Sequence, residues 1–261
     1  MRVAIIAPPY PLEEGPTPPL GVCYVAAAFE VAGAEVCIFD FLVSEYSQNR
    51  LKAWMDEFSP DVVGATSVTM NFPQAAQILC EAKKISPSVV TVMGGPHVSF
   101  DFHKGLHQYP GIDIMVIGEG EATIQELIPS IRDRRNWHGI KGIAFLENGD
   151  TVYTGPRQFI QDLDTLPMPA RHLIPLSRYQ ALGFPVSIIT SRGCPNRCIF
   201  CQGRHMVGAK VRYRSVSRIC DEIEGILKHG FTRLNIADDF FTFDYKRVKA
   251  FCTEIKNRNL D

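Results

Sequence analysis

The chain has 261 residues, 46% of them hydrophobic and 21% charged, which suits two modest domains or one large one and is too apolar for a disordered segment. With 27 basic against 28 acidic residues the formal net charge is -1, so no global field draws the chain to nucleic acid or to an anionic membrane. No apolar run approaches the roughly 20 residues that span a bilayer. The apolar stretch behind Arg2 soon meets prolines, as a strand does and a signal peptide does not.

The expected location is therefore the cytoplasm, where thiols stay reduced and eight cysteines imply no disulfide framework. Cys23, Cys37, Cys80, Cys220 and Cys252 lie in apolar segments and read as small core residues.

Over residues 1 to 135, β-branched runs alternate with helical patterns, the signature of βαβ units around a parallel sheet. Strands are expected at 3–7, 36–40, 62–66, 89–93 and 112–117, and helices at 20–32, 50–58, 73–85 and 123–134. Gly33 stands where a helix C-terminus takes its left-handed residue. Two short strands flank Asn148-Gly149, the strongest short-range hairpin signal. Together these define a flavodoxin-like or Rossmann-like α/β domain over 1–154. Prolines between Asp162 and Pro175 then mark 155–180 as an extended linker.

From 181 the βα alternation resumes. A strand at 186–190 leads into a cysteine loop. Val216, Ile219, Cys220, Ile223, Ile226 and Leu227 then recur at helical spacing between a Ser215 N-cap and a Gly230 stop. A strand at 233–237 and a helix at 245–258 follow. Two βα units fall far short of the eight, in roughly 250 residues, of a closed barrel, so 181–261 is expected to be the incomplete start of a barrel in a longer protein.

The cysteine loop, Ser191-Arg-Gly-Cys194-Pro-Asn-Arg-Cys198-Ile-Phe-Cys201, follows a strand at the end where α/β folds build sites. Three thiolates, Cys194, Cys198 and Cys201, can hold three irons of a cubane and leave the fourth open to a chelating ligand. His205 offers a rival reading, a Cys3His zinc site, and three metal-free structural cysteines are a third. At the next strand's end stand Asp238 and Asp239, either as acceptors for a ligand's ammonium group or as caps of the following turn.

The C-x3-C-x2-C spacing with Phe200 before its last cysteine resembles the radical S-adenosylmethionine (SAM) superfamily. That resemblance implies a 4Fe-4S cluster on Cys194, Cys198 and Cys201, with SAM chelating the open iron. Reductive cleavage then yields a 5'-deoxyadenosyl radical, Phe200 lies against the adenine, and Asp238 or Asp239 seats the methionine. Many members carry a Gly-Gly-Glu-like motif at the Asp238 position; Asp-Asp-x-Phe-Thr departs from it and is similar to a pattern in the cobalamin-associated and methylthiotransferase-like branches.

In the first domain, ligand-facing loops belong beyond the carboxyl ends of the strands. Those are Pro8-Pro9-Tyr10, Ser67-Val-Thr69, Gly94-Gly95-Pro96-His97 and Gly118-Glu119-Gly120-Glu121. A dinucleotide is disfavoured, because no G-x-G-x-x-G follows the first strand and Glu119 with Glu121 would repel a pyrophosphate. These loops, with Pro18-Pro19-Leu20-Gly21, Pro60-Asp61-Val-Val-Gly64 and Asp162-Leu-Asp164-Thr-Leu-Pro167, resemble the cobalamin-binding-domain branch of the radical SAM enzymes over nearly the whole chain.

By that resemblance Ser67, Gly94, Gly95, Gly118, Glu119 and Gly120 line a cobalamin groove. The implied activity is methyl transfer through cobalamin to an unactivated centre of a small-molecule substrate, with a flavodoxin- or ferredoxin-like protein as electron donor. The Asp-x-His-x-x-Gly motif that gives cobalt a lower histidine ligand is absent, since the segment reads Asp40-Phe-Leu-Val-Ser-Glu. His97 either approaches the corrin or is an ordinary hydrogen-bonded loop residue. No catalytic acid or base is visible. A cobalamin-free radical oxidoreductase, an inactive fragment and a zinc-stabilised binding module stay open as alternatives.

Overall fold

A computed structural model describes residues 1–10 and 17–260. Five strands, β1 (Arg2–Ala7), β2 (Glu35–Asp40), β3 (Val62–Thr66), β4 (Val90–Gly94) and β5 (Ile114–Val116), form a parallel sheet in the order β2-β1-β3-β4-β5. Of the two expected alternatives, flavodoxin-like and Rossmann-like, this order is the flavodoxin-like one. Beyond β5 the hairpin β6 (Ile143–Glu147) and β7 (Asp150–Tyr153) adds two antiparallel strands to the same sheet. Its turn holds Asn148 at φ 53° and Gly149 at φ 90°, the two left-handed residues that match the twist of the flanking strands.

Alternate side chains of β1 go to opposite faces, and each face has its own core. Val3, Ile5 and Ala7 pack with α1 (Leu20–Val31) and α5 (Gly120–Leu127). Ala4 and Ile6 pack with α2 (Gln48–Phe58), α3 (Phe72–Ile85) and α4 (Pro96–Gln108). The chain leaves β1 toward one face and β3 toward the other, so their carboxyl ends diverge and open a crevice.

Helix α4 lies in a segment with no expected helix. Its sequence carries Gly105 and three histidines, and Asp101 breaks the helical backbone at φ -135°, so no clean period marks it. Expected helix 123–134 ends early, at Leu127, and continues as 3-10 turns at Ile128–Ser130 and Arg134–Gly139.

Residues 155–180 carry more order than an extended path. 3-10 turns at Leu163–Thr165 and Arg171–Leu173 bury Leu163, Leu166, Ala170 and Ile174, and α6 (Leu176–Ala181) follows. In the last third, β8 (Val186–Ile188) pairs in parallel with β11 (Leu234–Ile236) across α8 (Val216–Lys228), and α9 (Tyr245–Asn257) packs beside α8. Ser215 Oγ caps α8 by accepting from the Arg218 amide, and Gly230 takes φ 80° behind it. Between β8 and α8 lie the short antiparallel pair β9 (Ser191–Arg192) and β10 (Arg212–Tyr213), and the brief helix α7 (Gly203–Val207). Of the five cysteines assigned to cores, Cys23 and Cys220 are buried, Cys37 and Cys80 are half-buried, and Cys252 is exposed on α9, where the helix turns it away from Phe251 and the core.

Among the described residues no helix is long and apolar enough to cross a membrane.

Candidate functional site

The diverging ends of β1 and β3 enclose a cleft of about 490 Å³ lined by Pro8, Tyr10, Leu20, Gly21, Ser67 and Asn71, among others. Ser67 is 1% exposed, and its hydroxyl has no hydrogen-bond partner among the described residues. A buried, unspent hydroxyl costs about 1–3 kcal/mol, so this cleft offers an incoming polar group a donor already in place. Asn71 shapes the floor, its Oδ1 accepting from the Val68 amide at 2.9 Å.

Of the six residues expected to line a cobalamin groove, Ser67 alone borders this cleft. Gly94 and Gly95 are its supports: the Ser67 amide donates to the Gly94 carbonyl at 3.1 Å. A side chain on Gly95 (φ 97°) would begin 2.6 Å from the Ser67 carbonyl oxygen. Gly118 (φ 79°) has open space where a side chain would start, and Gly120 opens α5.

Glu119 departs from the expectation. Its carboxylate is buried and taken up by Arg192 at 3.2 Å, by Arg212 at 2.9 and 3.0 Å, and by the Ile160 amide at 2.8 Å. Glu121 is likewise paired with Arg192 at 2.6 Å. Burial alone would lower the Arg192 pKa, but Glu121 and Glu119 outweigh it and hold it above its ordinary value. The repulsion expected between these glutamates and a pyrophosphate is neutralised by the arginines, so that argument against a phosphate ligand falls.

The loop after β2, where the histidine motif is absent, has another role. Asp40 is buried and accepts from the Tyr179 hydroxyl of α6 at 2.7 Å, while Arg178 reaches Ser44 Oγ at 2.8 Å. Burial pushes the Asp40 carboxyl above its usual range against the pull of Tyr179. His97 stacks on Phe72 with ring centres 4.0 Å apart, and its Nδ1 lies 3.3 Å from Thr69 Oγ1. The structure thus puts it in the first turn of α4 rather than in a loop, packed on Phe72.

The cysteine loop runs from Gly193 to Val211 between β9 and β10. Gly193 (φ 105°) is forced at the neck, since a side chain there would collide with the Lys210 carbonyl. Cys194 is half-buried, Cys198 and Cys201 are exposed, and Ile199 and Phe200 point into solvent at 102% and 87% exposure. Phe200 therefore touches no core.

Among the described residues no three His, Cys, Asp or Glu side chains converge as a preformed metal site, so neither the cysteines nor His205 are brought together in advance. Loop thiols of this kind take their mutual geometry from the metal they bind. The surroundings nonetheless suit a thiolate-bound cluster. The Gly203 amide donates to Cys201 Sγ at 3.4 Å, and a side chain on Gly203 would fill the gap between that sulfur, 3.5 Å away, and Asp239 Oδ1, 3.1 Å away.

The two aspartates divide. Asp238 accepts from the Thr190 amide at 2.6 Å, from the Ser191 amide at 3.1 Å and hydroxyl at 2.7 Å, and from the Thr190 hydroxyl. It ties the end of β11 to the end of β8 and has little left for a ligand. Asp239 is exposed and, among the described residues, accepts one long hydrogen bond, from the Gly193 amide at 3.4 Å, beside the cysteine loop. Sequence reasoning missed Arg192, Arg171 and Glu222 as buried charges. Arg214 is buried too. Arg171 and Arg214 flank Glu222 at 2.6 and 2.5 Å, Arg171 off hydrogen-bond geometry, and Arg214 also reaches the Tyr24 hydroxyl at 3.2 Å. The recurring Arg-x-Arg at 212–214 was the available signal.

This architecture, a flavodoxin-type sheet with a cleft at its switch point and a three-cysteine loop on an adjoining βα unit, is shared with solved cobalamin-dependent radical SAM enzymes. Residues 14–128 match the B12 binding domain family. It is 35% identical over 246 residues to an uncharacterized methyltransferase of Pyrococcus horikoshii, covering 94% of this chain and 53% of that protein. It is 30% identical over 275 residues to the anaerobic magnesium-protoporphyrin IX monomethyl ester cyclase of Cereibacter sphaeroides, covering 100% of this chain and 44% of that one. The solved structure of the radical SAM methyltransferase TsrM from Kitasatospora setae, with cobalamin and a [4Fe-4S] cluster bound, superposes with a TM-score of 0.82 at 22% identity. That match covers 100% of this chain and 52% of that one. The chain spans about half the length of the relatives it matches.

Proposed function

We propose that this protein is a cobalamin-dependent radical SAM methyltransferase acting on an unactivated centre of a small molecule. In this reading 1–154 is the cobalamin-binding unit, 155–180 the linker and 181–261 the start of the radical SAM core. Cys194, Cys198 and Cys201 hold a 4Fe-4S cluster, and cobalamin occupies the cleft beside Ser67 with Gly94, Gly95, Gly118 and Gly120 shaping its approach. When bound, the cluster supplies an electron that cleaves SAM and cobalamin carries the methyl group.

The observation that carries the reading is the cysteine loop's neck fastened to the loop after β5, which brings the thiols and the carboxyl ends of the first sheet to one region. The chain's own residues have distinct tasks. Gly203 leaves room beside Cys201 and its amide eases the charge on that sulfur. Asp239, with acceptor capacity to spare, receives the ammonium group of SAM, while Asp238 keeps the strand ends together. Phe200, free of any core, is available to cover the adenine. The Ser67 hydroxyl donates to cobalamin's polar periphery. A cytoplasmic location and a flavodoxin- or ferredoxin-like electron donor belong to the same proposal.

Anaerobic reconstitution with iron and sulfide tests it. Expected are iron and sulfide bound in proportion to protein, retained corrin absorbance after hydroxocobalamin is added, and 5'-deoxyadenosine on reduction with SAM. Stoichiometric zinc in oxygen-free preparations, or unchanged iron content in Cys194→Ser, Cys198→Ser or Cys201→Ser, refutes it. The likeness to a cyclase favours a second reading, radical chemistry without methyl transfer, which predicts 5'-deoxyadenosine with no methylated product.

A further inference from the structure

Arg192 and Arg212 are direct partners across the β9–β10 pair, the two legs on which the cysteine loop stands. Like charges opposite one another in a strand pair repel, and here both side chains are buried, at 9% and 3% exposure. The neck exists because a carboxylate from another unit lies between them: Glu119, with Oε1 3.2 Å from Arg192 and 2.9 Å from Arg212, and Oε2 3.0 Å from Arg212. Arg192 reaches on to Glu121 at 2.6 Å and lies 5.5 Å from the Tyr24 ring centre, while Arg212 bonds the Val207 carbonyl at 2.6 Å. Glu119 itself is flanked by Gly118 and Gly120, in the loop at the carboxyl end of β5. That loop is tied to the cleft: the Gly118 amide donates to Ser99 Oγ at 3.0 Å, Ser99 Oγ donates to the Gly95 carbonyl at 3.0 Å, and Gly95 packs against Ser67 at the cleft wall.

We propose that Glu119 is a positioning residue, with Arg192 and Arg212 as its partners, through which occupation of the B12 cleft fixes the arrangement of the cysteine loop. The proposal rests on the cobalamin and cluster assignments above and adds the direction of control: corrin binding in the first domain orders the thiols of the second. Two of the three thiols are exposed, and the clamp is a buried link between their loop and the first domain. Its charges are shielded from solvent, and added salt screens them weakly.

The test reads thiol exposure in cluster-free protein, so it does not depend on turnover. Alkylation of Cys194, Cys198 and Cys201 by N-ethylmaleimide is followed by peptide mass spectrometry with and without saturating cyanocobalamin. In the unsubstituted chain the corrin slows alkylation about 5-fold or more, the lower bound of ordinary coupling between sites. In Glu119→Gln, corrin is still retained but the ratio falls to about 1, whereas Glu126→Gln, in an exposed ion pair with Arg157, keeps the full effect.

Should Glu119→Gln fail to fold by circular dichroism, Arg192→Lys serves. It keeps the charge and loses the planar fork that spans Glu119 and Glu121, and the same collapse of the ratio is expected. Corrin retention without any slowing in the unsubstituted chain, or full slowing in the folded Glu119 or Arg192 variant, overturns the proposal alone. No corrin retention by the unsubstituted chain overturns the cobalamin assignment and the proposal with it.

Discussion

Replacing Gly95 by alanine should damage the fold far more than replacing its neighbour Gly94. Gly95 has φ 97° and ψ 179°, a region open almost solely to glycine and costing other residues about 1–3 kcal/mol. The added methyl would lie 2.6 Å from the Ser67 carbonyl oxygen and from Thr66 Oγ1, and 2.7 Å from the Ser67 amide. Two of those three atoms are backbone and cannot rotate away, so overpacking adds about 1–3 kcal/mol. The sum, about 2–6 kcal/mol, is a large share of the roughly 5–15 kcal/mol that holds a domain together. Gly94 has no positive φ and nothing within 4 Å of its would-be side chain, so Gly94→Ala should change stability by less than about 0.5 kcal/mol. Urea unfolding followed by circular dichroism measures both. The Gly95→Ala midpoint should fall by on the order of 1 M or more, and Gly94→Ala should stay near the parent while retaining less corrin. Equal midpoints for Gly95→Ala and the parent would refute the steric argument.

Asp238→Asn should lower stability by about 1–3 kcal/mol, because it breaks a carboxylate that serves two amides and two hydroxyls. Asp239→Asn should leave the urea midpoint unchanged yet raise the Kd for SAM in equilibrium dialysis; the opposite ranking counts against the division of labour. His97 is held below its usual pKa by burial, with Asp101 opposing. It is therefore neutral at pH 7, and its contribution to stability is lost as pH falls from 6.5 through the folded value. Imidazole NMR should show a depressed midpoint that moves back up in Phe72→Leu. Tyr179→Phe removes a buried donor to Asp40 and should cost about 1.5–3 kcal/mol. The Asp40 carboxyl is already pushed up by burial, so it protonates more readily folded than unfolded and stability falls as pH rises through the folded value. Losing Tyr179 raises that value further, and urea midpoints between pH 4 and pH 8 should fall over a wider window.

What could be read from the sequence was whatever local period or turn chemistry decides alone. The five parallel strands are nearly pure apolar runs, and Asn148-Gly149 names its own turn, so these elements lie where expected. Helix α4 escaped because its stability comes from Val98 and Leu106 packing onto the sheet, while glycine, histidines and the break at Asp101 erase its period. The 155–180 segment looked like a tether because prolines dominate it, yet Leu163, Leu166 and Ile174 are buried against other units, a fact of tertiary contact that no window of sequence contains. At the site, the cysteines announce themselves by spacing. The fate of Glu119 does not, since its arginine partners stand 73 and 93 residues away.

Those distant arginines also account for a junction that is unexpectedly ionic. Arg171, Arg192, Arg212 and Arg214 are all buried, and each is matched to a glutamate on a different element. Burying ion pairs adds little net stability and often less than apolar packing would, so cohesion is a poor reason for them. Apolar contact is non-directional and lets surfaces slide, whereas a guanidinium fork shared between two acceptors admits one register. The same need explains the loop after β2. Where a cobalt-ligating histidine is absent, Asp40 and Ser44 bind α6 instead. The loops after β2 and β5 are thereby pinned by polar contacts of fixed geometry. In a protein whose thiols lie on an exposed loop, such pinning places them relative to the first sheet.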